Sequence, residues 1–549
     1  MRLAPFVLAA LCVLVLFLGF DRVGVLDERE ARDAQVTREL VRHGEVLTPL
    51  YGVQPLYEKP IAAYALEALA YWREPASPVR SRQMRAGLAV LLVLITGVAG
   101  ARHFGPRAGV FAAGVLVTSV VLPLAARSDG TQLLGSLFAW IGCEGLADVV
   151  FGRARGRDLR LVVTYGALAA ALVCAGPLTA LWPLGGLALY LALARDREDW
   201  RRARPLAGLA LMLGVALPWY GAMIERRGAD FLAHAPFFPY AAGPPMPWLA
   251  GAVFAIPFLV VGCFPWSALL PDAMVHAAAW WRGRLPLLRI GSAGPELLPA
   301  AAVEREKREE GAAHFFIACL LAALVPILFY PSRPLTAALP AVPAVALLCG
   351  RLLDHLFEDP KRLAQAVTRS ALTLAVAGTV AAFTFVVLAT RVRDAAPELR
   401  LLGAALLLAS WAPFLADLMR RRRLAALLMG LPVAVGMPIV SLQVLPAMED
   451  WLNTRTAAQA LDVAAPPRAP LVLVGAPPPS LRFYVRNDLV VVPPGLAGPA
   501  ALRDCHAADG MTYLAFPPAR EREVARGAQT PLEILARTPT LVLARVRLD

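Results

Sequence analysis

Residues 1–40 read "MRLAPFVLAALCVLVLFLGFDRVGVLDEREARDAQVTREL", and they join a long apolar run to a dense group of charges. The run over residues 3–20 is about as long as a helix that crosses a bilayer, where each backbone amide must find its partner within the segment. No small-residue cleavage site follows the run, so the sequence predicts an uncleaved first membrane helix. The charges behind this helix begin with the adjacent carboxylates Asp27 and Glu28.

The rest of the chain repeats the apolar pattern. Its 549 residues are 58% hydrophobic and 17% charged. This composition is too apolar for a soluble globular protein of this size, and it predicts an all-α polytopic membrane protein. We predict about thirteen transmembrane helices. They lie near residues 3–20, 85–100, 107–125, 130–150, 160–174, 177–194, 205–224, 247–270, 313–330, 335–353, 370–390, 400–419 and 424–446.

The segments between the predicted spans differ in charge. One set is basic and includes "RHFGPR", "GRARGRDLR", "RDREDWRRAR" and "RRRR", while the alternate set is poor in Lys and Arg. The positive-inside rule puts the basic set in the cytoplasm. With an odd number of spans, residues 21–84 and the C-terminal hundred then face the outside. These loops explain the net charge of +13, so no nucleic acid is predicted as a partner.

Two segments are predicted to fold outside the membrane. Residues 21–84 combine the helical pattern "EARDAQVTRELVRHG" with the loop "TPLYGVQPLYEKP". The tail contains the strand-like runs "PLVLVG", "LRFYV", "DLVVV", "MTYLAF" and "PTLVLARVRL". We therefore predict a transmembrane domain over residues 1–446 and a small periplasmic α/β domain over residues 447–549. Within the cytoplasmic loop 271–312, "VEREKREEG" predicts an amphipathic surface helix.

The charges that follow the first span divide into two groups. A carboxylate close to the bilayer is costly unless it is solvated, paired or used, so Asp27 and Glu28 are predicted to be functional. Glu30, Arg38 and Glu39 instead fit ordinary ion pairs on an exposed helix face. Replacing Glu30 with Ala is then expected to cost under about 0.5 kcal/mol of stability.

The segment "DEREARDAQVTRELVRHGEVLTPLYGVQPLYEKPIAAYAL" resembles the first periplasmic loop of the GT-C class of polyprenyl-phosphate-sugar-dependent glycosyltransferases. The similar families are the lipid A 4-amino-4-deoxy-L-arabinose transferases and the protein O-mannosyltransferases. Weaker agreements follow in the expected order. They are "ARSDG" at 126–130, "LPWY" at 217–220, "PWS" at 265–267 and "SRPLTAALPAVPAVALL" at 332–348. The tail segment "PPPSLRFYVRNDLVVV" resembles the small periplasmic domain of such enzymes.

The resemblance implies transfer of an aminoarabinose-like or mannose-like sugar from a polyprenyl phosphate to an extracytoplasmic acceptor such as lipid A, with inversion. Asp27 is the candidate base, supported by Glu28 or Asp129. Asp129 also fits the N-cap of the fourth span in "SDGTQLL". Arg127, in the same turn, is predicted to be structural.

The departing phosphate needs positive charge, which the resemblance assigns to Lys59 and Arg333, with Tyr57 beside them. Arg333 also fits a cation that snorkels to the membrane interface. The resemblance further implies Glu58 as a ligand of a divalent metal (Zn, Mg or Mn). The aminoarabinose branch has a metal-binding His beside "PFWYY", where this chain has "GPPMPWL", so His234 in "FLAHAPFF" is the candidate substitute, with a packing role as the alternative. No organic cofactor is predicted. The seven cysteines support neither a disulfide framework nor a cysteine metal site.

Departures from the family leave alternatives open. "AGP" stands at residues 175–177 where the family has "KGP", so one phosphate-binding cation is missing, and the family tyrosine is replaced near Ala337. The acceptor is then lipid A, or alternatively a protein hydroxyl or an envelope polymer. A lipid or sugar transporter is the other alternative, and it predicts internal repeats and ionisable residues deep in helices. Ionisable residues here mark the span ends, apart from Glu144 and Asp148.

Overall fold

The chain is represented by a computed structural model that is mostly helical. The residues that it describes are 3–26, 29–52, 54–71, 77–152, 156–194, 197–234, 248–278, 300–329, 334–361, 363–475, 477–485, 489–492, 505, 507, 509–528 and 530–547.

Helices that cross or line the bilayer make up most of the described chain. Their bounds are α1 Ala4–Cys12, α4 Pro78–Phe104, α5 Pro106–Val117, α6 Val121–Ser128, α7 Gly130–Phe151, α8 Arg157–Ala175, α9 Pro177–Ala194, α11 Pro205–His234, α12 Trp248–Gly262, α14 Ala300–Phe329, α15 Val342–Glu358, α16 Ala364–Arg391, α17 Ala396–Leu418, α18 Arg422–Leu428 and α19 Leu431–Ile439. A π-helix, Val13–Phe17, continues α1, and a 3-10 helix, Leu335–Ala341, precedes α15.

The other elements are shorter. The helices are α2 Arg29–His43, α3 Ile61–Tyr71, α10 Arg197–Ala203, α13 Leu270–Ala277, α20 Leu445–Ala447, α21 Glu449–Leu452, α22 Arg455–Ala464, α23 Pro479–Tyr484 and α24 Glu521–Ala528. The strands are β1 Leu50–Tyr51, β2 Gln54–Pro55, β3 Leu471–Val474, β4 Leu489–Val492, β5 Thr512–Phe516, β6 Glu533–Arg537 and β7 Val542–Val546.

Each predicted span falls on a helix. In the described residues, nine helices are long and apolar enough to cross a membrane, and the bent pair α5 and α6 makes a tenth if it is one span. The other three predicted spans fall on the shorter apolar helices Ala4–Phe17, Pro177–Leu193 and Val253–Gly262. The prediction of an all-α polytopic membrane protein is therefore confirmed.

Small residues allow the first long helices to pack closely. A Cβ atom on Gly109 of α5 would lie 2.4 Å from the carbonyl oxygen of Gly97 and 2.7 Å from the backbone nitrogen of Ala101, both on α4. Such contacts between backbones are typical of membrane helices, where small residues let the backbones approach and dispersion replaces the hydrophobic driving force. This packing fixes α4, which carries two arginines of the site described below.

One local prediction was wrong, and a second gave the right element with the wrong end. "LRFYV" was predicted as a strand, but Pro479–Tyr484 is helix α23, with a proline in its first turn. The charged segment "VEREKREEG" is helical, as predicted, yet it continues without a break into the ninth predicted span as part of α14. The apolar helix α3 was not predicted, because residues 61–71 are too short for a span and lie in a loop taken as irregular.

The tail forms the small α/β domain that the sequence predicts. Its five-stranded sheet has the order β4-β3-β5-β7-β6, with β3 parallel to β4 and β5, and β7 antiparallel to β5 and β6. Apolar side chains pack on both faces of the sheet, which explains the continuous apolar runs of its central strands. The predicted domain boundary at residues 446 and 447 falls within α20 and stays a prediction.

Candidate functional site at the exit of the first span

The acidic side chains of helix α2 are buried in the protein interior. Glu30 is 1% exposed and lies between two arginines of α4. Its carboxylate accepts hydrogen bonds from Arg82 Nε at 2.8 Å, Arg82 Nη2 at 2.7 Å and Arg85 Nη1 at 3.2 Å. The prediction that Glu30 lies on an exposed helix face was therefore wrong. Burial opposes ionisation, but the two guanidinium groups and the Leu26 N–H together lower the pKa of Glu30 below its usual value.

The two arginines also fix the backbone around the site. Arg82 donates to the carbonyl oxygens of Phe20, Val23 and Gly24, at 3.0, 2.9 and 2.6 Å. Arg85 donates to the Arg127 carbonyl at 2.9 Å, immediately before the turn that leads into α7. Both guanidinium groups thus tie the exit of the first span to the start of the fourth. Buried arginines whose N–H groups donate to backbone carbonyls in this way stabilise the backbone and are not open to a ligand.

Arg38 and Glu39, which the sequence places on the surface, also make hydrogen bonds within the protein. Glu39 is 7% exposed and accepts a hydrogen bond from Gln35. Arg38 donates to the carbonyl oxygens of Phe483 at 2.7 Å and Arg482 at 3.1 Å, both in the tail. Burial, with repulsion from Arg42, lowers the pKa of Arg38 to about 10. The prediction of an exposed pair was wrong because the tail covers this face of α2.

Asp129 caps α7 and also contacts a cation. Its Oδ1 accepts the Gln132 N–H at 3.1 Å, which confirms the N-cap, and its Oδ2 accepts the Thr336 hydroxyl at 2.8 Å. Arg29 Nη1 lies 3.3 Å from the same Oδ2. Burial opposes ionisation of Asp129, yet Arg29, Lys59 and the two hydrogen bonds lower its pKa below the usual value. Asp129 is thus a buried carboxylate in its charged form.

Lys59 of the EKP turn is 2% exposed. Its ammonium group donates to both carboxylate oxygens of Asp33, at 2.8 and 2.6 Å. The loop brings the two together because the turn after β2 places Lys59 immediately before α3, which packs on α2. The predicted phosphate ligand is therefore already paired with a carboxylate in this structure.

The remaining predicted residues of the EKP region have partners too. Glu58 is bound by Arg32, which lies one helical turn after Arg29 on α2. The Tyr57 hydroxyl donates to Asp230 Oδ2 of α11 at 2.7 Å. Burial and that hydrogen bond raise the pKa of Tyr57 to about 12. Tyr57, Glu58 and Lys59 hence face three different partners, although they are consecutive.

Several predicted residues lie outside the described part of the chain. These are Asp27, Glu28 and Arg333, and the side chain of His234, the last residue of α11. Their roles remain predictions. Thr336, three residues after Arg333, donates to Asp129, so the 3-10 helix before α15 contributes to this site.

Among the described side chains, no group of three or more His, Cys, Asp and Glu residues converges in a way that could hold a metal ion. The Glu58 carboxylate is bound by Arg32. Metal ligation by Glu58 and His234 stays a prediction. The seven cysteines form no disulfide among the residues that the structure describes.

Sequence reasoning missed Arg29, Arg32 and Asp33. The three lie on α2 at spacings of three and four residues, and with Asp129, Glu58 and Lys59 they form three ion pairs. The available signal was this helical spacing within "REARD" at residues 29–33, next to the recognised motif. Arg127, predicted to be structural, donates to the carbonyl oxygens of Val15, Leu18 and Pro123 and to the Ser441 hydroxyl.

The bundle, the charged site at the exit of its first span and the small C-terminal sheet define a polytopic membrane protein with the GT-C fold. The same fold occurs in the crystal structure of ArnT from Cupriavidus metallidurans bound to undecaprenyl phosphate, with a TM-score of 0.76 at 18% identity over 98% of this chain and 97% of that one. The fold predicted from the family resemblance is confirmed.

Curated proteins similar to the chain carry one name, undecaprenyl phosphate-alpha-4-amino-4-deoxy-L-arabinose arabinosyl transferase. The relative from Pseudomonas aeruginosa strain UCBPP-PA14 is 30% identical over 261 residues, which is 45% of this chain and 46% of the relative. The relative from Edwardsiella ictaluri is 25% identical over 303 residues, 51% of each chain. The chain thus spans about half the length of the curated relatives it matches. No protein-family model matches it.

Proposed function

We propose that the chain is an integral-membrane glycosyltransferase that moves an aminoarabinose-like sugar from undecaprenyl phosphate to lipid A. One observation carries the proposal. Three ion pairs gather between α2, the EKP turn and the start of α7, within a fold that ArnT also has in a crystal structure with undecaprenyl phosphate bound. The curated relatives are named for this sugar and this carrier. The site faces the periplasm, as the basic loops at the other ends of the spans favour.

The chemistry needs a base and positive charge at the level of the lipid headgroups. The carrier tail stays in the bilayer, so the sugar carbon attached to its phosphate reacts close to the membrane surface. A carboxylate takes the proton of the acceptor hydroxyl while this oxygen attacks the anomeric carbon, and the carrier phosphate leaves with the bond electrons. Asp27 is the proposed base, and Asp129 supports it electrostatically from the cap of α7.

To bind the phosphate, the cations of the site exchange their carboxylate partners for phosphate oxygens. Lys59 is held by both oxygens of Asp33, and Arg29 and Arg32 are each bound to a carboxylate. A phosphate therefore competes with these carboxylates, and it does so well because charge-assisted hydrogen bonds to phosphate are strong. Arg29 and Arg32 are 23% and 32% exposed, whereas Lys59 is 2% exposed, so the arginines contact an arriving phosphate first.

The test uses membranes that contain the full-length protein, a radiolabelled aminoarabinose donor on undecaprenyl phosphate, and lipid A. Wild-type protein and the variant Asp21→Asn should form labelled lipid A, while Asp27→Asn should lose at least 100-fold in rate, as expected for a lost general base. Asp21 is a matched control because it is an exposed carboxylate six residues earlier. Equal expression of all three proteins is checked by immunoblot.

Other outcomes would overturn the proposal. Label on protein or envelope polymer, with none on lipid A, would show a different acceptor for the same fold. Movement of the lipid-linked sugar across the membrane without product, in wild type and Asp27→Asn alike, would favour a transporter. Full activity of Asp27→Asn would remove this residue from the chemistry.

A further inference from the structure

A cavity with charged residues in its wall lies at the other end of α7 from the candidate site. It has a volume of about 430 Å³ and is formed by α4, α7 and α8, with Arg102, Glu144, Asp148 and Arg160 in its wall. Glu144 follows Asp129 by fifteen residues, which at 1.5 Å per residue separates them by roughly 22 Å along the helix. The volume is in the range of ligand sites. This cavity is therefore distinct from the candidate active site.

In each ion pair of the cavity, the carboxylate is more buried than the guanidinium group. Glu144 Oε1 accepts from Arg102 Nη1 at 3.2 Å, and its Oε2 lies 3.1 Å from His103 Nε2. Asp148 accepts from Arg160 Nη1 at 2.9 Å. Arg102 and Arg160 are 56% and 34% exposed, whereas Glu144 is 9% exposed. Charged residues within membrane segments are costly and usually serve a function.

The surroundings combine a polar rim with an apolar wall. Arg102 lies in the last turn of α4 and Arg160 in the first turn of α8, so both sit where helix ends meet the headgroup region. Leu94, Val98 and Val163 also line the cavity, and each is about half exposed. In a bilayer such side chains contact acyl chains. The cavity thus offers contacts to both parts of a lipid.

One buried hydroxyl at the cavity lacks a partner. Thr164 is 1% exposed and lines the cavity, and its Oγ1 makes no hydrogen bond to any residue that the structure describes. Gly145 faces it so closely that a Cβ there would lie 2.0 Å from this oxygen. The Thr164 hydroxyl is therefore enclosed between α7 and α8, and the charged side chains are the polar groups of the cavity that a ligand can reach.

We propose that this cavity binds the headgroup of phosphatidylethanolamine. Arg102 and Arg160 contact the phosphate, and Glu144 and Asp148 accept hydrogen bonds from the primary ammonium group. The two arginines and two carboxylates sum to zero net charge, which matches a zwitterionic headgroup better than an anionic one. A choline headgroup carries the same charge but has no N–H donors for the carboxylates. The proposal does not depend on the transferase activity.

The test is native mass spectrometry of the full-length protein in detergent with equal amounts of phosphatidylethanolamine, phosphatidylcholine and phosphatidylglycerol. We expect at least fivefold more bound phosphatidylethanolamine than either other lipid. The double variant Glu144→Gln/Asp148→Asn should lose this preference. The control Asp354→Asn breaks an ion pair with Arg107 at the same end of the bundle, outside the cavity, and should keep it.

A second variant covers the case in which the double variant does not fold. Leu159 is 72% exposed on the cavity wall, so Leu159→Trp should fill the cavity without changing charge and should also lose the preference. Equal or tighter binding of phosphatidylglycerol or phosphatidylcholine would overturn the proposal. Retention of the preference in both cavity variants, or its loss in Asp354→Asn, would do the same.

Discussion

Glu30 binds two guanidinium groups, and its removal leaves Arg82 buried with only backbone carbonyl partners among the described residues, while Arg85 keeps one carboxylate partner, Glu67, at 2.8 Å. Breaking a buried ion pair by removing one partner costs about 3–5 kcal/mol. We therefore expect Glu30→Gln to be strongly destabilising, in place of the small effect expected for an exposed residue. Thermal unfolding of the detergent-solubilised protein measures the change.

Glu45 provides the matched control for this prediction. It pairs with Arg226 at 3.1 and 3.0 Å, but the arginine is 50% exposed. Exposed pairs contribute about 0–1 kcal/mol because water and salt screen them. Glu45→Gln should thus unfold at nearly the wild-type temperature. A Glu30→Gln protein as stable as Glu45→Gln would contradict the buried network.

In the proposed function Asp33 competes with the donor phosphate for Lys59, which makes its removal informative. Asp33→Asn frees the ammonium group from its counter-charge, so undecaprenyl phosphate should bind about tenfold more tightly, a gain of ~1.4 kcal/mol. Lys59→Ala should bind more weakly than wild type. Equilibrium binding of undecaprenyl phosphate to the purified variants measures both changes. Binding weakened equally by Asp33→Asn and Lys59→Ala would show that Asp33 only supports the fold.

The sequence predicts part of the site and misses the rest for a physical reason. The cap at Asp129 was predictable, because its partner Gln132 is three residues away. Glu30 was assigned to the surface, because its arginine partners lie 52 and 55 residues further on and helical spacing says nothing about them. Lys59 was recognised from its motif, yet its partner Asp33 depends on how α3 packs against α2.

Contact between elements sets the limits of substitution in the bundle. Gly109 faces the backbone of α4, whereas nothing lies within 4 Å of a Cβ added to Gly114 on the same helix. Gly109→Ala should therefore force α4 and α5 apart and destabilise the protein by about 1–3 kcal/mol, as overpacking does. Gly114→Ala should be neutral or slightly stabilising, since alanine favours helices. Unfolding temperatures of the two variants measure the difference, and equal values would contradict the close packing.

Elements differ in how well local sequence determines them. Long apolar runs predicted the spans, because hydrocarbon demands helices whatever their neighbours are. The helices and strands of the tail were harder to predict. "LRFYV" has strand-forming residues, but a preceding proline and packing against α22 and the sheet make it helical. Strand β6 was missed because its side chains are half buried or exposed, so it lacks the apolar run of β3.

The whole molecule is expected to act on the envelope. Deletion of the gene should remove aminoarabinose from lipid A, and the wild-type gene should restore it, while a gene that encodes Asp27→Asn should not. Mass spectrometry of lipid A from the three strains measures this, with envelope proteins and polymers examined in parallel. Unchanged lipid A together with loss of sugar from a protein would favour a protein hydroxyl as the acceptor.

The hydrogen bond from Arg38 to Phe483, 445 residues later, joins helix α2 to the tail helix α23. In the segment before α2, the Val25 N–H donates to the Tyr484 hydroxyl of α23 at 2.6 Å. A ribosome makes the first partner long before the second. During synthesis, therefore, α2 lacks its contacts with α23 until residues 483 and 484 have been made. A chain cut short before residue 483 would lack both of these tail partners of α2 and of the segment before it.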